Sequence, residues 1–376
     1  MAIDRLFLLM KEKLASDMFL AVNSPIQIKI SGTLYPINQQ KMDQAMILNL
    51  LNEVVSAEHM AELERNNELN IGIPVTGVGS FRLSAFRQRG SISAVLRYIP
   101  SHIPPLQEAN LPPLLTELIM EKRGLLLVAG ATGSGKSTTI ASMLDYRNES
   151  TTGHILTLED PIEFLFKNKK SIVNQREIGT DSSSLSLALK NALRQAPDCI
   201  LIGEIRDMDT MSAAIAYAQS GHLVVATLHA NNSYQALNRI INFFPMENRQ
   251  ALLTDLAAVV RAIVSQRLVP SLDGGRRAAV EIMVNTRHVA DLIERGELGQ
   301  IKEAIEKSMS PGSQTFEQAL MMLINEGFIS KEEAMLYADS ATNLFWLLNN
   351  KMEKPGESAP PPSEEGTSFT EFTLNV

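Results

Sequence analysis

Eight residues, Gly130-Ala131-Thr132-Gly133-Ser134-Gly135-Lys136-Ser137, follow the pattern Gly-x4-Gly-Lys-Ser/Thr. The apolar stretch Leu125–Ala129 precedes them, and a helix is expected from Ser137 to Leu144. Glycines let successive backbone N–H groups converge at a helix N-terminus, where negative charge is favoured. Both flanks meet that requirement, so the loop, with Thr138 as its last member, reads as a cradle for the phosphates of a nucleoside triphosphate. In that reading Lys136 reaches the β- and γ-phosphates and Ser137 ligates Mg²⁺.

Carboxylates follow two other apolar runs. Pro197-Asp-Cys-Ile-Leu-Ile-Gly-Glu204 ends on Glu204, and His154-Ile-Leu-Thr-Leu-Glu159 leads into Asp160-Pro-Ile-Glu163. Open parallel sheets bind ligands at the carboxyl ends of their strands. A carboxylate at Glu204 would hold Mg²⁺ directly or through its waters. Three acids within five residues suit a water-activating base with orienting partners, and spacing alone does not choose among Glu159, Asp160 and Glu163. His222 opens and His229 closes another apolar run, Leu223–Leu228. If that run is extended, seven residues at about 3.3 Å separate them by roughly 23 Å, too far for one metal ion. His229 then lies at the nucleotide edge, placed to sense the γ-phosphate, and His222 at the far end. Nearer the N-terminus, alternation sets Arg82 opposite Phe81, Leu83 and Ala85, and Arg97 opposite Ile92, Ala94, Leu96 and Tyr98. Two arginines on a polar face could stabilise a transferring phosphoryl group. Arg194 and Arg206, which flank the Glu204 run, are weaker candidates.

The elements that would position these groups fall into two parts. Residues 1–104 mix short strands and helices: Ile3, Phe7, Met10 and Leu14 recur at helical spacing, and 25–30, 33–36, 80–87 and 91–99 alternate as strands. A proline-rich stretch ends in the linker 105–113. Across 114–348 continuous apolar strands at 125–129, 155–158, 199–202, 223–228 and 279–284 alternate with helices, which implies a mainly parallel α/β sheet covered on both faces. Beyond residue 286 the pattern is helical only. Residues 349–376 form an acidic, proline-rich tail expected to be disordered.

Composition narrows the class. The 376 residues carry 34 basic and 42 acidic side chains, net −8, which speaks against a nucleic-acid binder. The single cysteine, Cys199, excludes a disulfide framework and a cysteine-based zinc site. No apolar run reaches the roughly 20 residues of a membrane span, and the N-terminal residues do not read as a signal peptide, so a cytoplasmic location is expected.

Four segments together, Gly130–Ser137, Thr157–Glu163, Ile200–Glu204 and Ser220–His229, resemble the motifs of the secretion-type hexameric ATPases that power type IV pili, in the retraction (PilT/PilU) branch. The resemblance runs over about residues 1–345. It implies a RecA-like P-loop NTPase domain preceded by a small PAS-like α+β domain, with C-terminal helices. It implies ATP and Mg²⁺ as cofactors, Glu163 as the catalytic glutamate, Glu204 as the Walker B glutamate, His222 and His229 as the His-box pair, and Arg82 and Arg97 as arginines that close on the nucleotide. The implied partners are five further copies in a homohexamer and a PilC-type inner-membrane platform protein, at the cytoplasmic base of the pilus machine. The lack of a Cys-rich zinc module sets the chain apart from the pilus-extension and type II secretion ATPases, the alternative reading. The segment His288-Val-Ala-Asp-Leu-Ile-Glu-Arg295, the acidic tail, Ala230-Asn-Asn-Ser-Tyr and Asn242-Phe-Phe-Pro are similar to PilU-type members. They imply an accessory motor that depends on a PilT-type retraction ATPase. A nucleotide-binding regulatory subunit with weak turnover is the remaining alternative.

Overall fold

Alternating apolar residues near the N-terminus assemble into a six-stranded antiparallel sheet in the computed structural model, which describes residues 2–30, 32–99 and 102–350. Its strands are β1 (Asp17–Leu20), β2 (Gln27–Ile30), β3 (Thr33–Pro36), β4 (Glu68–Val75), β5 (Gly79–Gln88) and β6 (Ser91–Ile99), in the order β3-β2-β1-β6-β5-β4. Helices α1 (Ala2–Glu12), α2 (Gln44–Asn52) and α3 (Ala57–Asn66) share a core with it. Phe7 of α1 stacks on Phe81 of β5 with ring centroids 4.0 Å apart. Phe81, Leu83, Ala94 and Leu96 are buried, while Arg82 and Arg97 stand directly opposite one another in the β5–β6 register.

The second sheet holds β7 (Gly124–Ala129), β8 (His154–Glu159), β9 (Ile172–Glu177), β10 (Cys199–Ile202), β11 (Leu223–Leu228), β12 (Val260–Pro270) and β13 (Arg276–Val284), in the order β13-β12-β7-β11-β10-β8-β9. Every neighbouring pair is parallel except the β12–β13 hairpin. All residues of β7, β10 and β11 are buried, as strands covered on both faces require. Alternation then splits the core. Leu125 and Leu127 join one cluster, and Leu126 and Val128 the other. Helices α4 (Leu114–Ile119) and α5 (Lys136–Ser150) cover one face. Helices α6 (Leu185–Ala192), α7 (Met208–Gln219), α8 (Ser233–Asn242), α9 (Arg249–Val259), α10 (Arg287–Glu294) and α11 (Ile301–Glu306) cover the other. Finally α12 (Phe316–Asn325), α13 (Lys331–Tyr337) and α14 (Ala341–Asn350) pack Phe316, Leu320, Ala334 and Leu344 against Val269 and Ala279 of the hairpin.

Several elements depart from the sequence-based expectation. The helix expected at 137–144 continues to Ser150 because its buried polar residues find partners: Arg147 donates to the carbonyls of Ile119 and Glu121 (2.6 and 3.0 Å), and Asn148 to that of Lys167 (2.7 Å). Strands β1, β4, β9 and β12 also appear. β9 is an edge strand with little apolar signal, and β12 follows α9 with no glycine or proline between them. Leu106 and Leu111, within the proline-rich stretch, are buried in the core around α4 and α5. The acidic tail from residue 351 lies outside the described residues.

One side chain fastens the C-terminal helices to the sheet. Arg267 of β12 donates to the carbonyls of Tyr337 and Asn231, forms an ion pair with Asp339, and lies over the Phe316 ring at 3.9 Å. Leu127, central in the sheet and wholly buried, gives the fold its test. Leu127→Ala is expected to cost about 2–5 kcal/mol and Leu127→Met under about 1.5 kcal/mol, read by chemical denaturation.

Candidate active site

Parallel alignment brings the carboxyl ends of β7, β8, β10 and β11 to one edge of the sheet, where a cavity of about 770 Å³ opens. Its lining includes Thr132, Gly133, Gly135, Lys136, Ser137, Thr138, Glu159, Asp160, Glu163, Glu204, Arg206 and His229. The phosphate loop leaves β7 and turns directly into α5. Its glycines are required by close approach: a Cβ on Gly130 would lie 2.7 Å from the Gln266 carbonyl oxygen, and one on Gly135 2.8 Å from Gln266 Nε2. The same glutamine accepts a 2.7 Å hydrogen bond from Thr139 Oγ1 in the first turn of α5, and both side chains are buried. Gln266 thus lies close to both ends of the loop and is hydrogen-bonded to the helix that follows it.

Lys136 Nζ donates to the carbonyls of Gly130 and Ala131, each at 2.9 Å. Burial pulls its pKa down, opposed by the nearby Glu204 and Glu163 carboxylates. Ser134 Oγ, inside the loop, is buried without a hydrogen-bond partner.

Glu204 follows β10 on a turn held from both sides. Gly203 N–H donates to the Leu158 carbonyl (2.8 Å), Ile205 N–H donates to that of Thr227 (2.9 Å), and Thr227 Oγ1 donates to the Gly203 carbonyl. The carboxylate lies between two cationic or dipolar groups, Arg206 Nε at 2.6 Å from one oxygen and His229 Nε2 at 3.2 Å from the other. Arg206 also reaches Asp160 at 3.6 Å, and its hydrogen bond to Glu204 raises its pKa further.

The three acids at the end of β8 and just beyond it have separate environments. Glu159 is buried, accepting from Thr157 Oγ1 (2.6 Å) and Gln175 Nε2 (3.1 Å), and burial pushes its carboxyl pKa up. Asp160 and Glu163 are exposed on the cavity wall. Their surroundings differ: the Glu159 carboxylate is buried and hydrogen-bonded, Asp160 faces Arg206, and the Glu163 carboxylate is exposed in the cavity lining.

The other sequence candidates lie elsewhere. His222, at the opposite end of β11 from His229, faces Ser220 Oγ (3.0 Å) and the Tyr217 carbonyl (3.2 Å). Arg194 is exposed ahead of the N-terminal end of β10. Arg82 and Arg97 do not line the cavity. Each takes a nearer carboxylate: Arg82 Nη2 that of Glu177 (2.8 Å) and Arg97 Nε that of Asp17 (2.8 Å). Sequence reasoning missed Gln266, which sits on the unforeseen β12, and Gln175, which sits on the unforeseen β9.

Ser137 and Glu204 offer hard oxygen donors, which fit Mg²⁺, a cation commonly held by one or two protein oxygens together with substrate phosphates. Among the described residues no group of three or more His, Cys, Asp or Glu could cage a metal alone.

A phosphate loop at the carboxyl edge of a parallel sheet, faced by a strand-end glutamate and histidine, defines an α/β P-loop NTPase. The chain belongs to the Type II/IV secretion system protein family, whose model matches residues 3–296, and it is a nucleotide-binding ATPase of that family. It is 45% identical over 345 residues to the type IV pilus ATPase PilU of Pseudomonas aeruginosa, covering 92% of this chain and 90% of that protein. It is 38% identical to the type IV pilus retraction ATPase PilT of the same organism, covering 85% and 93%. A crystal structure of the pilus retraction motor PilT with bound ADP matches with a TM-score of 0.84 at 39% identity, covering 91% of this chain and 99% of that one.

Because the folded state raises the Glu159 pKa, the stability this group contributes is complete below the ordinary carboxylate range and is lost as pH rises through the raised value. Glu159→Gln keeps an acceptor oxygen for Thr157 and Gln175 and has no charge to bury. It is expected to melt higher than wild type at pH 7–8, with the gap closing toward pH 4. Thermal melts across pH check this, and a gap independent of pH refutes it.

Proposed function

We propose that this chain is an ATP-driven motor of type IV pilus retraction, serving twitching motility, and that it acts as an accessory to a PilT-type retraction ATPase. The observation that carries the reading is one cavity gathering the phosphate loop, Glu163, Glu204 and His229 in a chain that matches a pilus ATPase along nearly its whole length.

In this mechanism the loop amides and Lys136 hold the β- and γ-phosphates. The triphosphate's negative charge offsets the burial that lowers the Lys136 pKa. Ser137 and Glu204 would hold Mg²⁺, Glu204 in part through water. The ion supplies charge neutralisation on the phosphate oxygens when bound. Glu163 accepts the proton of the attacking water, a role open to it because its carboxylate is exposed on the cavity while that of Glu159 is engaged. His229, joined to Glu204, reports on the γ-phosphate, and Arg206 fixes the other Glu204 oxygen and Asp160. Arg82 and Arg97 exchange their carboxylate partners for the nucleotide when the first domain closes. His222 and Arg194 belong to packing between elements or subunits.

The assembly we infer is a homohexamer working on a PilC-type platform protein at the inner membrane. No helix among the described residues is long and apolar enough to cross a membrane, so attachment to such a site would be peripheral.

Lys136→Ala and Glu163→Gln are each expected to lower steady-state ATP turnover by about 100-fold or more, with Glu163→Gln retaining nucleotide binding. Wild-type rates in both exclude these roles. A deletion strain is expected to lose twitching while retaining or accumulating pili, with a defect no larger when a PilT-type gene is also deleted. Loss of pili would favour an extension motor.

A further inference from the structure

Glu177 closes β9 at the edge of the second sheet, paired in register with Glu159. It does not line the cavity, yet a single carboxylate oxygen, Oε2, accepts two hydrogen bonds. One comes from Arg82 Nη2 of the first sheet at 2.8 Å, the other from Ile162 N–H at 3.0 Å. Ile162 immediately precedes Glu163. The backbone around Glu177 is fixed, its own N–H donating to Asp181 Oδ2 (2.8 Å) and that of Ile178 to the Glu159 carbonyl (2.8 Å). Two residues earlier on the same strand face, Gln175 holds the same loop farther on, donating to the Phe164 carbonyl (2.8 Å) and accepting from Phe166 N–H (2.9 Å). The loop that carries Glu163 is therefore gripped by β9 at both ends, and one of those grips is shared with an arginine from the other sheet.

We propose that Glu177 is a positioning residue for ATP hydrolysis: it withholds Arg82 from the triphosphate and, through the same oxygen, makes release of Arg82 and adjustment of the Glu163 loop one event. The inference rests on the reading of Arg82 as a phosphate ligand. The Nη2 hydrogen bond to Glu177 must break before that atom can serve a γ-phosphate. While it holds, apparent affinity for ATP is reduced by the fraction of Arg82 engaged. When it breaks, the carboxylate keeps Ile162 N–H as a donor and is no longer neutralised, so its charge-assisted bond to that amide strengthens. Both side chains are about one-fifth exposed, which places the pair between a screened surface bridge and a buried one.

The test measures binding of a non-hydrolysable ATP analogue with Mg²⁺ by calorimetry, together with kcat, on the full-length assembled protein. The set is wild type, Arg82→Ala, Glu177→Gln and the double variant. Glu177→Gln keeps an amide oxygen for Ile162 N–H and loses the charge that holds Arg82. It is expected to bind the analogue about threefold tighter while kcat falls. Arg82→Ala is expected to bind more weakly, and adding Glu177→Gln to it should produce no tightening. A purely structural strut would lower kcat or stability without improving affinity. Weaker binding in Arg82→Ala without tightening in Glu177→Gln overturns the proposal alone. Wild-type affinity and turnover in Arg82→Ala overturn the reading of Arg82 and the proposal with it. Should Glu177→Gln not fold, Glu177→Asp, with a shorter reach to Arg82, is expected to tighten binding about twofold, and unchanged affinity there refutes the proposal.

Discussion

The Gln266 carbonyl and side-chain amide lie so close to the phosphate loop that neither Gly130 nor Gly135 has room for a Cβ. That approach sets the rest of the site. β12 can press on the loop because it pairs in parallel with β7, the strand the loop leaves, and its Gln266 reaches Thr139 in the helix the loop enters. Crowding at both loop glycines and a hydrogen bond to the helix that follows restrict the loop, and preorganisation of that kind is what makes backbone dipoles effective on phosphate charge.

Around this frame the acidic groups are sorted by their surroundings. Glu159 is turned inward and satisfied by neutral donors, so its negative charge is disfavoured and it serves the wall of the cavity. Glu204 sits between Arg206 and His229 on a turn whose amides are anchored to β8 and β11, so its direction is fixed. Glu163 is farther out, its side chain exposed, on a loop that β9 holds at Ile162, Phe164 and Phe166 and whose Glu163 amide reaches the Glu159 carboxylate. The site therefore pairs one carboxylate on an anchored turn with one exposed on a loop.

Much of this was readable from residue type and spacing. Continuous apolar runs announce a covered parallel sheet, and β7, β8, β10 and β11 follow from them together with the placement of the loop, Glu204 and His229 at one edge. Alternation was sufficient to set Arg82 and Arg97 on one face of the first sheet. Partners distant in sequence were not readable. Nothing near Arg82 announces Glu177, 95 positions away, and nothing near Thr139 announces Gln266, 127 positions away. Local signal failed for β12 because the apolar run from α9 passes into the strand without a punctuating residue, and for β9 because an edge strand of mixed polarity has no clear period. The different surroundings of Glu159, Asp160 and Glu163 were not readable either, since burial and ion pairing are properties of the folded chain.

Gln266 and Arg267 are neighbours, and strand geometry sends them to opposite sides of β12. One lies close to the phosphate loop. The other is engaged by Asp339, the Tyr337 carbonyl and the Phe316 ring of the C-terminal helices. Those helices are therefore no detachable appendage. Whatever is cut from them, grafted onto them or docked against them tugs on a side chain one peptide bond away from the nucleotide cradle, and the far end of the polypeptide becomes a handle on its chemistry.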